Sequence, residues 1–119
     1  MRSVSLEGGA DGSIEAAVPA GALVWLMESD PAAVLAASAA ACREAIDGLG
    51  ADETPEALVL LGCSARSKFL RSDAPEEIAR VTDLAGDATI AGLYANGEIA
   101  RTRGVMGFHH QTLVVLALA

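Results

Sequence analysis

Three short segments hold most of the residues with chemistry to offer. The first, Gly62-Cys63-Ser64-Ala65-Arg66, follows an apolar run. A strand that ends there and turns into a helix leaves backbone N–H groups unpaired. Those groups and the helix dipole favour an anion. Arg66 adds a planar fork that fits a carboxylate, and a helix start lowers the pKa of a cysteine such as Cys63. Lys68 and Arg71 stand close behind. The competing reading is structural: a small buried cysteine and a solvated face of charges.

The second segment is Gly92-Leu93-Tyr94-Ala95-Asn96-Gly97-Glu98-Ile99. Asn96-Gly97 is a strong turn signal. Glu98, just past the turn, could hold an ammonium or hydroxyl group, or be the exposed end of a plain hairpin. The third is Gly107-Phe108-His109-His110-Gln111-Thr112, which holds both histidines of the chain. Neighbours in an extended segment point to opposite faces, so only one of His109 and His110 can enter a given pocket. That weakens a two-histidine metal site, and no metal ligand is assigned. Cys63 as nucleophile, His109 as base and Glu98 as orienter would form a hydrolase triad. It requires thiol and imidazole within hydrogen-bond reach, and no catalytic residue is assigned.

These residues must be positioned by a small set of elements. Residues 1–11 are polar and Gly-rich, a flexible lead-in to a domain over 12–119. Ser13 to Val18 and Ala22 to Met27 read as strands around a Pro19-Ala20-Gly21 turn, with Trp25 a core or interface anchor. Asp30 and Pro31 open a helix, and Gly48 and Gly50 close it. Cys42 falls on its apolar face. Ala57 to Leu61 reads as a central strand buried on both faces. Asp73, Pro75, Glu76 and Glu77 open a second helix with Ile78, Val81, Leu84 and Ala85 inward and Gly86 as its stop. Ala88 to Tyr94, Glu98 to Arg101 and Thr112 to Leu118 are strands, and Thr102 to Gly107 is a flexible loop. The fold class is α+β: a single domain with a mainly antiparallel sheet, in the order β-β-α-β-α-β-β-β, and helices packed on the sheet. The ALVLL strand is a candidate parallel insertion.

Composition removes several classes. The 119 residues are 52% hydrophobic and 20% charged, which suits a globular domain. The net charge is −8. Residues 1–56 hold ten acids and two bases, and residues 57–119 hold six of each. Such a balance argues against nucleic acid and against an anionic membrane surface. The longest apolar stretch, 31–42, is too short to span a bilayer. With no signal core and two cysteines in no metal or disulfide spacing, a cytoplasmic location is expected.

Taken together, GCSAR-x-x-FL, GLYANGEIA and GFHHQTLVVLAL resemble the C-terminal domain of the FIST family. That family supplies sensory modules to bacterial signalling proteins, and a related domain occurs in eukaryotic F-box proteins. Its pattern is Cys-x-x-Arg after a strand, then Gly-Phe/Tyr-x-x-Gly-Glu-Ile, then His-Asn-x-Thr before a terminal apolar strand. Cys63 and Arg66 match the first element, Gly92, Gly97, Glu98 and Ile99 the second, and His109 and Thr112 the third. Residues 57–119 carry the resemblance, and residues 10–56 fit it in pattern only, as a hairpin with a Pro-Ala-Gly turn and then a helix, so that 12–119 is expected to be a FIST C-terminal-like domain. His110 stands where the family usually has Asn, and Leu93 replaces an aromatic that Tyr94 next door can supply.

The resemblance implies binding rather than catalysis. The expected function is a sensory domain for an amino acid or similar carboxylate metabolite. Arg66 takes the ligand's acid group and Glu98 its amine, with Cys63, Ser64, Tyr94, Gly97, His109, His110 and Thr112 completing the site. No cofactor is expected. A haem-based nitric-oxide sensor, with His109 as axial ligand, is the alternative, followed by a protein-interaction module without a ligand. Expected partners are the small molecule and a FIST N-terminal domain or output protein. The family's usual N-terminal domain is expected to be absent from this chain, which leaves a face for a homodimer.

Overall fold

A computed structural model describes residues 4–5, 13–14, 20–23, 28–102 and 105–119. Helix α1 spans Pro31–Asp47. Its start is fixed locally: the Ala33 N–H donates to Asp30 Oδ1 at 2.7 Å, and Pro31 sits where no backbone donor is needed. At its end the Gly48 N–H donates to the Glu44 carbonyl at 3.2 Å. Leu35, Ser38, Ala39 and Cys42 form its buried stripe. Burial pushes the Cys42 thiol pKa up, with the Arg43 charge opposing.

Strands β1 (Val4–Ser5) and β2 (Ser13–Ile14) form a small antiparallel ribbon. Strand β3 spans Ala57–Cys63 and leads directly into helix α2, Ser64–Leu70. A 3-10 turn, Arg71–Asp73, joins α2 to helix α3, Ala74–Ala85. Gly86 ends α3 at φ 60°, a left-handed conformation that suits glycine. Strands β4 (Thr89–Ala95), β5 (Glu98–Thr102), β6 (Val105–His109) and β7 (Leu113–Leu118) complete the order.

The main sheet has the order β4-β3-β7. Strand β3 runs parallel to β4 and antiparallel to β7. Strands β5 and β6 form a separate antiparallel ribbon. One face of the sheet carries Leu58 and Leu60 of β3, with Ile90, Leu113, Val115 and Ala117 beside them, against Cys42, Val81 and Ala85 of the helices. That layer is the core.

The α+β class and the central, parallel-paired β3 match the sequence expectation. Among the described residues three of the four strand pairings are antiparallel, but the sheet that carries the core is mixed. The parallel pair arises because α2 and α3 carry the chain back across the sheet between β3 and β4. Burial of β3 on both faces does not hold. Its helix-side residues are buried, whereas Leu61 on the other face is 39% exposed. Leu93 and Leu116 share that second face and are also exposed. In α3 the inward position assigned to Ile78 belongs to Glu77, which shares one face with Val81 and Ala85 at spacings of four. The segment read as a loop over Thr102 to Gly107 contributes to β6, which pairs with β5 from Val105 onward. Within the N-terminal lead-in Val4–Ser5 forms β1, and β2 pairs with it. Ala20 and Gly21 form the expected turn, with Gly21 at φ 82°. Ala22 and Leu23 are not in a strand, and Trp25 lies outside the described residues.

Gly92 sets the spacing of the parallel pair. A Cβ there would lie 2.3 Å from the Leu60 carbonyl oxygen and 2.8 Å from Leu60 Cβ. Gly92→Ala is therefore expected to cost about 3 kcal/mol of unfolding free energy in a urea titration, at the upper end of overpacking penalties because backbone must move. A loss near zero would contradict this packing.

Candidate functional site

The parallel pair ends with Cys63 of β3 opposite Ala95 of β4. Strand β7 begins at the same end, with Leu113 opposite Gly62. The segments around Cys63, Glu98 and His109 therefore meet at one edge of the sheet, the C-terminal edge of its parallel strands. Open sheets place ligands outside the carboxyl ends of their strands. The contacts that tie the edge together are polar. The Cys63 N–H donates to the Thr112 carbonyl at 3.0 Å. Ser64 Oγ donates to Asn96 Oδ1 at 3.0 Å. Thr112 Oγ1 donates to Glu98 Oε2 at 2.7 Å.

Glu98 and His109 are register partners across β5 and β6, so their side chains share one face of the ribbon. Gly97, at φ 117°, makes the reversal that places Glu98 there. Glu98 is 4% exposed. Thr112 satisfies one of its oxygens; the other, Oε1, is enclosed with no hydrogen-bond partner among the described residues, and so is His109 Nε2. Leaving a buried polar atom unpaired costs about 1–3 kcal/mol, more if it is charged. Cys63 is buried beside this edge. His110 is half-buried in the bend after β6, next to Gln111 at φ 55°.

Arg66 has a different environment from the one expected of a ligand contact. It lies inside the protein, 5% exposed. Its Nε and NH2 donate to Glu77 Oε1 at 3.1 and 2.5 Å. NH2 also donates to Ser38 Oγ at 2.5 Å and to the Val34 carbonyl at 3.1 Å, and NH1 donates to the Gln111 carbonyl at 3.2 Å. Ser38 Oγ in turn donates to Glu77 Oε1 at 2.6 Å. The fork that would grip a carboxylate is thus filled by a carboxylate of the protein itself. Lys68 and Arg71 are exposed. The three bases form no shared anion site among the described residues, because Arg66 is buried while Lys68 of α2 and Arg71 of the following 3-10 turn face outward.

Sequence reasoning missed Ser38 and Glu77. A signal existed for both. Ser38 interrupts the apolar stripe of α1, and Glu77 lies four and eight residues before Val81 and Ala85. A polar residue on a buried stripe needs a buried partner. By sequence position Glu77 is an ordinary first-turn acid, which is the role Glu76 plays in its exposed pair with Arg80.

Tyr94 lies against Gly62, where a Cβ would approach its ring to 3.1 Å. Its hydroxyl donates to Glu77 Oε2 across a long 3.4 Å. Desolvation first, and then the Glu77 charge and hydrogen bond, raise the phenol's pKa; the Arg66 charge opposes them. Among the described residues no three His, Cys, Asp or Glu side chains gather as metal ligands. No helix among them is long and apolar enough to cross a membrane.

Two measurements test this geometry. Arg66→Met leaves Glu77 charged and unpaired, and is expected to cost about 3–5 kcal/mol in denaturant unfolding. Adding Glu77→Leu is expected to recover most of that loss, because the unpaired charge is removed. In an absorbance titration the single tyrosine is expected to ionise above its usual value of about 10. The folded protein then holds this proton more tightly than the unfolded chain, so the contribution is intact below pH ~10 and lost as pH rises past it. A midpoint at or below 10 contradicts the contact with Glu77.

No curated protein and no solved structure matches the chain. The family model of the FIST C domain matches residues 5–101, which takes in the first half of the chain and ends before the His109–Thr112 segment. The chain therefore belongs to the FIST C family, a sensory and signal-transduction type of domain.

Proposed function

We propose that this domain senses a small zwitterion, an amino acid or a closely similar metabolite, at the edge where the three segments meet. The observation that carries the reading is the enclosed, half-satisfied carboxylate of Glu98 opposite the enclosed imidazole nitrogen of His109. An ammonium group supplies the donor that Glu98 Oε1 lacks. The ligand's carboxylate takes the Nε2–H of His109. Thr112 holds the other Glu98 oxygen and fixes the rotamer. Arg66 acts indirectly: through its NH1 it holds the Gln111 carbonyl, and so the start of β7, in place. Ser64 and Asn96 tie α2 to the turn before β5.

Both open atoms are closed to solvent, so ligand entry requires a shift of the β5–β6 ribbon. A ligand that binds only the shifted form moves the population toward it. That displacement is the signal available to a FIST N-terminal domain, an output protein or a second copy.

Calorimetry with the chain and a panel of free amino acids tests the reading. At least one is expected to give saturable heat. Glu98→Gln is expected to weaken it by about 10- to 100-fold, the worth of a hydrogen bond to a charged group. No heat with any member, or unchanged affinity in Glu98→Gln, refutes it.

A further inference from the structure

A cavity whose lining does not include Glu98 lies between α3 and β4. It holds about 160 Å³ and is lined mainly by apolar groups, among them Leu60, Ile78, Val81, Ile90 and Leu113. Gly62 and Gly92 add no side chain to its wall. That space matches one benzene-sized body, since a dry apolar cavity of about 150 Å³ takes benzene. Two polar residues also line it, Glu77 and Tyr94.

Glu77 is 1% exposed, and its two oxygens are used unequally. Oε1 accepts from Arg66 and Ser38. Among the described residues Oε2 accepts only the 3.4 Å contact from the Tyr94 hydroxyl, well beyond the 2.5–3.0 Å of a good O–H···O bond. Tyr94 itself is 45% exposed, so its phenol is not locked in place by packing. A buried carboxylate oxygen with lone pairs to spare therefore sits at a small apolar cleft. Arg66 already balances the Glu77 charge. A second cation in this cleft would bring its charge into an apolar space without an anion of its own, which is costly. A neutral hydroxyl carries no such cost.

We infer that the cleft between α3 and β4 binds a small uncharged molecule with an apolar body and one hydroxyl, an aromatic or branched alcohol or a phenol, whose O–H donates to Glu77 Oε2. The body lies among Ile78, Val81, Ile90 and Leu113. Tyr94 is the internal competitor, because its phenol presents the same group to the same oxygen. This site is separate from the zwitterion site and does not depend on it.

Amide chemical shifts of the labelled chain, titrated with benzyl alcohol, benzylamine and toluene, test the inference. Benzyl alcohol is expected to shift the amides of Ile78, Val81, Leu93 and Tyr94 saturably, and to bind more tightly than benzylamine. Ile78→Trp, which fills the mouth from an exposed position, is expected to abolish these shifts while the rest of the spectrum stays folded. Tyr94→Phe removes the competitor and is expected to tighten benzyl alcohol by about 2- to 10-fold, one ordinary hydrogen bond, and to leave toluene unchanged. Glu98→Gln is expected to leave benzyl alcohol binding as it is, so a failure here is distinct from a failure of the amino-acid reading. Absence of saturable shifts at these amides, benzylamine binding as tightly as benzyl alcohol, or no gain in Tyr94→Phe overturns the inference.

Discussion

Arg66 and Glu77 are both buried, and the polar network around them joins most of the fold. Ser38 brings in α1, Arg66 α2 and Glu77 α3, while the Gln111 carbonyl ties in the segment that opens β7. Tyr94 reaches the same carboxylate from β4. A buried ion pair need not add net stability, since taking two charges out of water offsets much of their attraction. It imposes a geometric demand. Each donor must meet its acceptor, so α1, α2, α3 and the start of β7 are held in one arrangement. Apolar contacts alone tolerate sliding; this network does not.

That constraint acts on both candidate sites. The Gln111 carbonyl held by Arg66 lies next to Thr112, and Thr112 holds Glu98. The placement of the Glu98 carboxylate thus traces back to the buried pair through two short links. On the other side, Glu77 presents its less-used oxygen to the cleft under Tyr94. One internal network thereby sets the position of the Glu98 carboxylate at the sheet edge and supplies the polar group of the cleft between α3 and β4.

The local signals in the sequence hold where short-range physics decides. The Asp30-Pro31 start and Gly48 end of α1 are such signals, as is Asn96-Gly97 between β4 and β5. The ALVLL run does become the central strand. Two kinds of expectation did not hold. Ile78 and Glu77 exchange places because the inward face of α3 is chosen by what it packs on, and an acid can face inward when Arg66 and Ser38 wait there. The apolar run of β3 suggests burial on both faces, yet helices cover only one face of its sheet among the described residues. Apolar content states what a strand tolerates, and layering decides what it receives.

The sequence by itself determined the α+β class, the main breaks between elements and the three segments that carry chemistry, because caps, turns and hydrophobic runs act within a few residues. Their resemblance to the FIST C-terminal pattern also lay in the linear order. Only the tertiary structure decided what each charge does. Arg66 looked like a carboxylate receptor, and the fold satisfied it with Glu77, eleven residues away. Glu98 and His109 became register partners because β5 and β6 pair. Whether a charge is spent inside or kept for a ligand depends on which acceptor lies within about 3 Å in the folded chain, and sequence spacing does not fix that distance.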